Sequence, residues 1–228
     1  MVKIAHISDI HLRGIARQKE HTRALKILFE DLKEIKPDLI INCGDTAHLK
    51  TVLSPELIDI VSWFFNNLAD IAPTYHLLGN HDGLLNNLDR QDAISPINNA
   101  INNPRSIVLK KSESKIIEVN GKKIALHPYS PFDKEHWDDL NSIDNCINIA
   151  LFHGAISNAL TDTEWDMGHG EKEVSFFNQY DFTLLGDIHK QQFLGYREKE
   201  EIINETTLEL YKKLYGSSNI EIIEEFEE

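Results

Sequence analysis

The 228-residue chain contains only two cysteines and no long apolar run. Cys43 and Cys146 cannot build the disulfide framework of a small secreted protein, so a reducing compartment is expected. No stretch approaches the roughly 20 apolar residues of a transmembrane helix. The N-terminal stretch does not resemble a signal peptide, because Lys3, His6 and Asp9 interrupt it. We therefore expect a cytoplasmic protein without a membrane span.

Basic residues are also scarce in this chain. It has 23 Lys and Arg against 37 Asp and Glu, which gives a formal net charge of −14. This charge argues against non-specific polyanion binding over the whole surface. A local phosphate site is still compatible with it, because bound divalent cations reverse the sign of the field around them. The acidic end, EIIEEFEE, is expected to be a solvated tail.

Short apolar runs alternate with amphipathic stretches along the chain, and 41% of the residues are apolar. Asn120-Gly121 is a strong hairpin signal between two of the runs. The pattern predicts an α/β fold with mixed sheets covered by helices. The predicted helices lie at residues 18–36 and from Ser54 onward, and the predicted strands at residues 2–8, 39–43, 74–78, 106–109, 115–119, 122–126, 147–152 and 182–185.

A change in composition occurs near residue 196, where a charged segment begins. Apolar residues between Ile203 and Leu214 are spaced as in a helix that ends at Gly216. We expect one domain over residues 1–195. Residues 196–228 are expected to form a charged helical segment with an acidic tail, and no capping domain is evident.

Polar side chains follow five of the predicted strands, at the point where each strand ends. Asp-Ile-His occurs twice in this setting, and three of the five motifs have a glycine in front. In open α/β sheets, ligands bind in the crevice at the carboxyl ends of the strands. The side chains expected to converge there are Asp9, His11, Asp45, His48, Asn80, His81, Asp82, His153, Asp187 and His189.

Each Asp-Ile-His segment is expected to be extended, so that residues i and i+2 point to one side and grip one ion. The donors are imidazole, carboxylate and one amide, a set that suits Mn²⁺, Fe²⁺ or Zn²⁺. Two ions about 3.5–4 Å apart would clamp a phosphate and provide a nucleophile for in-line attack on phosphorus. The other histidines are interpreted as structural or surface residues, namely His6, His21, His76, His127, His136 and His169.

The motifs DIH, GD, GNHD, HG and GDIH, in this order, resemble the calcineurin-like metallophosphoesterase superfamily over residues 1–194. The resemblance implies a four-layer α-β-β-α sandwich with both metals at the edge of the sheets. It implies that His81 is catalytic, contacting the scissile phosphate or protonating the leaving oxygen, and that Asp82 supports His81. The implied metal ligands are Asp9, His11 and His189 for one ion, Asn80, His153 and Asp187 for the second, and Asp45 for both.

A narrower resemblance comes from GDTAH and GDIHKQQ, which are similar to motifs of the DNA-repair nuclease branch, the SbcD/Mre-eleven type. It implies that His48 approaches the DNA backbone; the alternative is a surface histidine that leads into the next helix. It also implies DNA as substrate, an ATPase partner of the SbcC/Rad-fifty kind and Mn²⁺ as the favoured metal, with Mg²⁺, Fe²⁺ or Zn²⁺ as alternatives. A homodimer is compatible with this reading.

The chain departs from that branch in two respects. Most relatives carry histidine where this chain has Asp187, and a carboxylate there would lower the positive charge at the second ion. Relatives also continue into a capping domain, whereas this chain turns to a charged segment. Two rival functions therefore stay open: a phosphatase or small-substrate phosphodiesterase of the same superfamily, and an inactive metal-binding scaffold.

Overall fold

The computed structural model describes residues 2–15, 17–161, 163, 166, 168–190, 192 and 194, together with the backbone of residues 220–224. The helices are α1 (Gln18–Ile35), α2 (Pro55–Ile71) and α3 (Ser95–Ile101), with two 3-10 helices at Lys134–Asp139 and Val174–Phe177. The strands are β1 (Lys3–Ile7), β2 (Leu39–Cys43), β3 (Thr74–Leu77), β4 (Ser106–Leu109), β5 (Lys115–Val119), β6 (Lys122–Tyr129), β7 (Ile147–His153), β8 (Phe182–Gly186) and β9 (Ile220–Glu224).

The strands form two mixed sheets. The first has the order β4-β3-β2-β1-β9, in which β1 to β4 are parallel and β9 runs antiparallel to β1. The second has the order β5-β6-β7-β8, in which only β5 is antiparallel to its neighbour. Because the parallel strands end at the same edge of each sheet, they bring the segments that follow them together. The predicted α/β class with mixed sheets is confirmed.

One apolar core lies between the two sheets, and strand alternation decides which residues enter it. On β2, Leu39, Ile41 and Cys43 face the second sheet, whereas Ile40 faces the helices. Facing them across the interface are Ile124, Leu126, Ile149, Leu151 and Leu184 of the second sheet. This apolar interface fixes the distance between the two strand edges that carry the polar motifs.

Helices α1 and α2 cover the outer face of the first sheet. On α1, Leu25, Leu28, Phe29 and Leu32 are buried at the spacing of one helix face. Helix α2 begins after Ser54, whose Oγ accepts a hydrogen bond from the Leu57 backbone N–H at 3.2 Å. Both helices begin close to the strand ends, so their first turns border the polar edge.

The outer face of the second sheet is covered differently. In the described part of the chain, 3-10 helices and loops form this layer and no α-helix does. Its core is largely aromatic and includes Tyr129, Trp137, Phe152, Phe177 and Tyr180. The outer layer predicted as helical in the four-layer sandwich is thus a packed layer of loops and 3-10 turns here.

The C-terminal segment differs from its prediction in one part. Residues 221–224 belong to β9, which pairs with β1 between Lys3↔Glu224 and Ile7↔Ile220, whereas a solvated tail was expected. The strand is explained by the β-branched content of its sequence, IEIIE, which favours a sheet edge over solvent. The predicted helix between Ile203 and Leu214 and the boundary at 195/196 lie outside the described residues.

No helix among the described residues is both long enough and apolar enough to span a membrane.

Candidate metal centre

The polar segments meet because the pairing of β1 and β2 continues past both strands. The backbone N–H of Asp9 donates to the Gly44 carbonyl at 3.0 Å, and that of His11 donates to the Asp45 carbonyl at 2.9 Å. A parallel bridge between Leu12 and Ala47 closes this extension. The DIH and GD motifs are therefore held side by side by backbone hydrogen bonds.

The two Asp-Ile-His segments also lie against each other. The Asp187 N–H donates to both carboxylate oxygens of Asp9 at 3.1 Å. The Nε2 atoms of His11 and His189 are 3.3 Å apart, and His189 Nε2 is 3.9 Å from Asp9 Oδ1. Asp9, His11 and His189 thus present three ligand atoms within 4.8 Å of one another. These are the three residues predicted to hold the first ion.

Asp45 lies between the first and second predicted ligand sets. Its Oδ2 is 3.6 Å from His11 Nε2, and its Oδ1 is 3.3 Å from His153 Nε2. Asp45 Oδ1 also accepts the backbone N–H of His81 at 2.7 Å. A carboxylate with one oxygen toward each set is the arrangement that a bridging ligand requires.

The second predicted set gathers on the other side of Asp45. Asp187 Oδ1 is 3.8 Å from His153 Nε2 and accepts a hydrogen bond from the Asn80 side-chain amide at 3.1 Å. Asn80 would ligate a cation through its oxygen, which a half-turn of the amide exchanges with the nitrogen. The structure therefore brings all seven predicted ligands to one place, and their role as ligands stays a prediction.

The surroundings of His153 indicate whether a cation fits this site. Its Nδ1 donates to the Cys43 carbonyl at 2.6 Å, which turns Nε2 toward the carboxylates. That Nε2 is buried and makes no hydrogen bond with any described residue. Burial would lower the pKa of His153, but the Asp45, Asp9 and Asp187 carboxylates outweigh it and raise the pKa to about 10. Such a buried negative pocket, with an imidazole nitrogen aimed into it, fits divalent cations.

The local conformation of the motifs differs from the prediction. Asp9 and His11 have φ values of 57° and 49°, in the left-handed region, so this segment is not extended. Asp45 and Asp187 also have positive φ, at 52° and 75°. The predicted clamp of residues i and i+2 on an extended segment is therefore wrong in its geometry. The side chains converge because the backbone turns sharply after each strand, in a conformation that is costly without glycine.

The glycines in front of the motifs act mainly through close packing. A Cβ on Gly79 would lie 2.2 Å from Asp45 Oδ1, and a Cβ on Gly186 would lie 2.2 Å from the Cys43 carbonyl oxygen. Gly44 has a φ of 101°, and a Cβ on it would lie 2.6 Å from His153 Nδ1. Gly44 therefore permits a sharp turn, whereas Gly79 and Gly186 leave room for neighbouring segments.

His81 is oriented by its neighbour His48. The His81 Nδ1 donates to the His48 backbone carbonyl at 2.9 Å, which leaves Nε2 available to a substrate. The two rings are stacked, with centroids 5.6 Å apart, and His11 lies 4.9 Å from His81. The predicted catalytic pair is thus adjacent to the first ligand set.

Asp82 contacts the backbone around His81 and not the His81 ring itself. Its two oxygens accept the backbone N–H groups of Ala47 and Gly79, both at 2.8 Å. Burial and the nearby Asp45 carboxylate raise the pKa of Asp82 to about 7. Asp82 therefore ties the loop after β2 to the loop after β3, and holds Asp45 and His81 in register.

Gln192 is a positioning residue whose role the sequence did not reveal. Its side-chain amide accepts from the Leu160 N–H at 3.0 Å and donates to the Leu160 carbonyl at 2.7 Å. The same Nε2 lies 3.3 Å from the Lys190 carbonyl. Gln192 thus fastens the segment that carries His189 to the loop that follows His153. The final glutamine of GDIHKQQ was a visible signal, but its partner was not.

The remaining histidines have the structural and surface positions that were predicted. His76 and His127 are buried and hydrogen bonded, to Ser106 Oγ at 3.2 Å and to Asn148 Oδ1 at 3.0 Å, respectively. His6 is a buried residue of β1. His136 and His169 are exposed, and His21 is partly exposed on α1.

Comparison with known proteins shows the family. A family model described as calcineurin-like phosphoesterase matches residues 2–191, so the chain belongs to this family. The family depends on two metal ions, and the chain is accordingly a metal-dependent phosphoesterase. Uncharacterized protein R555 of Acanthamoeba polyphaga mimivirus is 37% identical over 211 residues. The match covers 84% of this chain but only 15% of the length of the viral protein.

Replacing Asp45 by asparagine should abolish most of the stabilisation by metal. At a Mn²⁺ concentration about 100 times Kd, binding should stabilise the wild-type protein by about 2.7 kcal/mol, or roughly 5–10 °C in Tm. Asp45→Asn should show less than half of this rise in differential scanning fluorimetry, because the bridging charge is lost. Asp59→Asn, an exposed change on α2, is the control and should respond like wild type. Equal rises in all three proteins would contradict a site centred on Asp45.

Replacing Asp82 by asparagine should destabilise the fold. Asparagine offers one acceptor oxygen where two buried N–H groups need partners, so one N–H is left unsatisfied. The free energy of unfolding should fall by about 1–3 kcal/mol in urea titrations. Asp89→Asn, in an exposed loop, should leave it unchanged. An unchanged midpoint for Asp82→Asn would show that the two loops are joined by other contacts.

Replacing Gln192 by alanine should weaken Mn²⁺ binding more than it slows the reaction. His189 loses a tether but keeps its imidazole, so kcat at saturating Mn²⁺ should stay within about threefold of wild type while Kd rises about tenfold. Gln179→Ala is the matched control, because Gln179 also accepts a backbone N–H, from Ser142 at 3.2 Å, away from the ligands. The positioning role is refuted if both variants bind Mn²⁺ like wild type in isothermal titration calorimetry.

Proposed function

We propose that this chain hydrolyses phosphodiester bonds of DNA, as an exonuclease and endonuclease of the SbcD/Mre-eleven type that acts in DNA end processing and repair. Metal-dependent phosphoester hydrolysis follows from the family. The assignment of DNA as the substrate goes beyond what the family gives. The observation that carries it is the position of His48, which stacks on His81 and orients it.

His48 supports a polymeric substrate because it extends the site beyond the predicted ligands. Its ring lies 5.5 Å from His11 and 5.6 Å from His81, so a phosphate next to His81 would also lie near His48. Ligand atoms of His11, His48 and His81 lie within 4.8 Å of one another. Three imidazoles along one side of the crevice suit a substrate that continues past the scissile phosphate.

The exposure of the site is compatible with a polymeric substrate. The side chains of His189 and Asp187 are 50% and 28% exposed, whereas those of Asp9 and Asp45 are 2% and 1% exposed. The ligand set is thus closed toward the sheets and open along one rim. A chain of phosphates can lie along such a rim, and a closed pocket is not required to bind it.

The proposed roles follow from the contacts of each residue. Asp9, His11, Asp45, Asn80, His153, Asp187 and His189 would hold two divalent cations, which neutralise phosphate charge and provide a nucleophile at neutral pH. His81 would contact the scissile phosphate or protonate the leaving oxygen through Nε2, since Nδ1 is bonded to His48. Asp82 would keep the Asn80–His81 turn in place through Gly79 and Ala47.

Mn²⁺ is the proposed metal. The predicted ligands are three imidazoles, three carboxylates and one amide, with no thiolate. The four oxygen donors suit hard cations such as Mn²⁺ and Mg²⁺, and the imidazoles are compatible with Mn²⁺. An SbcC/Rad-fifty-type ATPase partner, a homodimer and a cytoplasmic location belong to the same proposal.

A phosphatase or small-substrate phosphodiesterase is the second candidate. The net charge of −14 favours it, because DNA is repelled by an acidic surface. The two functions can be distinguished by measuring the hydrolysis of linear DNA and of bis-p-nitrophenyl phosphate, both with Mn²⁺. A small-substrate enzyme should cleave only the latter, and an inactive scaffold should cleave neither.

Replacing His81 by alanine should lower kcat on DNA by about 10²–10⁴-fold, because a proton donor or phosphate contact is lost. The loss on bis-p-nitrophenyl phosphate distinguishes these two roles. Nitrophenolate leaves without a proton, so a smaller loss there indicates proton donation, and an equal loss indicates phosphate contact. His136→Ala, an exposed change, is the control. The DNA-nuclease proposal fails if wild-type protein with Mn²⁺ leaves blunt duplex and single-stranded DNA intact.

A further inference from the structure

Positive charge is concentrated at the start of α1, in contrast to the rest of the chain. Residues 11–27 contain five Lys and Arg and a single acidic residue, although the whole chain has a net charge of −14. Such local asymmetry is the usual electrostatic sign of a polyanion contact. Because the segment directly follows the first metal motif, it starts at the edge of the first sheet where the predicted ligands lie.

Three of these cations form a stripe along one face of α1. Lys19, Arg23 and Lys26 are spaced i, i+4 and i+7, and all three are exposed. They line one shallow groove together with Gln18, Thr22, Ile27 and Glu30, so the groove carries three positive charges and one negative charge. Within the described part of the chain, no acidic side chain forms an ion pair with any of the three. We call these three residues the basic stripe.

Arg13 and Arg17 connect the basic stripe to the metal centre. Burial, then Arg17 and Arg13, lower the pKa of His21 on α1. The His48 backbone N–H donates to the Leu12 carbonyl at 3.0 Å, which places Arg13 next to His48. Arg13 is therefore close both to His21, in the first turn of α1, and to His48 beside the site. Arg17 is partly neutralised by Glu20, at 2.6 Å.

We propose that the basic stripe binds the sugar-phosphate backbone of the DNA strand that leaves the metal centre past His48 and Arg13. This inference rests on the proposed nuclease function and adds the path of the substrate. Seven residues of helix span about 10 Å, and phosphates of one strand are about 3.4 Å apart along a duplex. The stripe can therefore contact two or three phosphates. This contact offsets the repulsion that the acidic surface imposes on DNA.

A second group of lysines provides a matched control. Lys33, Lys36 and Lys123 are exposed. Lys33 and Lys36 lie at the end of α1, shortly before β2 starts, and Lys123 lies at the start of β6, which is parallel to β7. Because β2 and β7 run toward the metal centre, these lysines lie at the opposite edge of the sheets, and DNA bound at the site has no reason to contact them.

The test compares the salt dependence of DNA binding by two triple variants. Lys19→Gln/Arg23→Gln/Lys26→Gln removes the stripe, and Lys33→Gln/Lys36→Gln/Lys123→Gln removes equal charge elsewhere. Binding of a labelled single-stranded and a duplex oligonucleotide is measured by anisotropy with Mn²⁺, in a His81→Ala background that prevents cleavage. Losing three phosphate contacts should reduce the slope of log K against log salt by about 2–3, and weaken binding at least about tenfold at low salt.

The control triple variant should keep the wild-type slope. When His81 is retained, both triple variants should hydrolyse bis-p-nitrophenyl phosphate at the wild-type rate, because the stripe does not touch the metal ligands. The inference is overturned if DNA is cleaved normally and the slope does not change, or if both triple variants lose slope equally. Absence of DNA cleavage and binding by the wild-type protein would instead refute the proposed function on which the inference rests.

Discussion

The buried carboxylate of Asp45 is the interaction on which the rest of the site depends. It lies 3.3 Å from His153 and 3.6 Å from His11, and it accepts the backbone N–H of His81 at 2.7 Å. Burial alone would raise the pKa of Asp45, but these contacts, led by His153, lower it. An ionised carboxylate in the interior requires compensating positive charge. Asp45 therefore couples the position of the catalytic candidate His81 to the charge held at the centre.

Backbone strain is concentrated at the same place. Four non-glycine residues of the site, Asp9, His11, Asp45 and Asp187, adopt left-handed conformations. Each such residue costs about 1–3 kcal/mol unless its surroundings impose the conformation. Here the continued pairing of Asp9 with Gly44 and of His11 with Asp45 imposes it. The rigid sheets below thus support a strained rim, as expected where side chains must be preorganised for chemistry.

Much of the fold and of the site composition could be predicted from sequence, because both depend on local patterns. Alternation and glycine punctuation located every strand from β1 to β8, and the polar residues after five of them are the ones that converge. Helix α3 and strand β9 were missed, because Ser95–Ile101 is short and polar and because β9 depends on pairing with β1. The aromatic outer layer could not be inferred either, since it is held by contacts between distant segments.

The geometry of the site could be predicted less well from the sequence than the identity of its residues. Sequence spacing suggested extended clamps, but the left-handed conformations arise from pairing between two loops. The support of His81 by the His48 carbonyl uses a backbone group, which no side-chain motif reports. Likewise, Asp82 acts on two backbone N–H groups, and Gln192 on a residue 32 positions away. Long-range polar contacts of this kind require coordinates.

The most direct test is anomalous diffraction at the manganese edge from crystals of the protein grown with Mn²⁺. Two peaks are expected about 3.5–4 Å apart, with the Asp45 carboxylate between them. One set of ligands should be Asp9, His11 and His189, and the other Asn80, His153 and Asp187. The proposed metal centre is contradicted if no peak lies near Asp45, or if the metal binds instead at the exposed cluster of Asp133, Glu135 and His136.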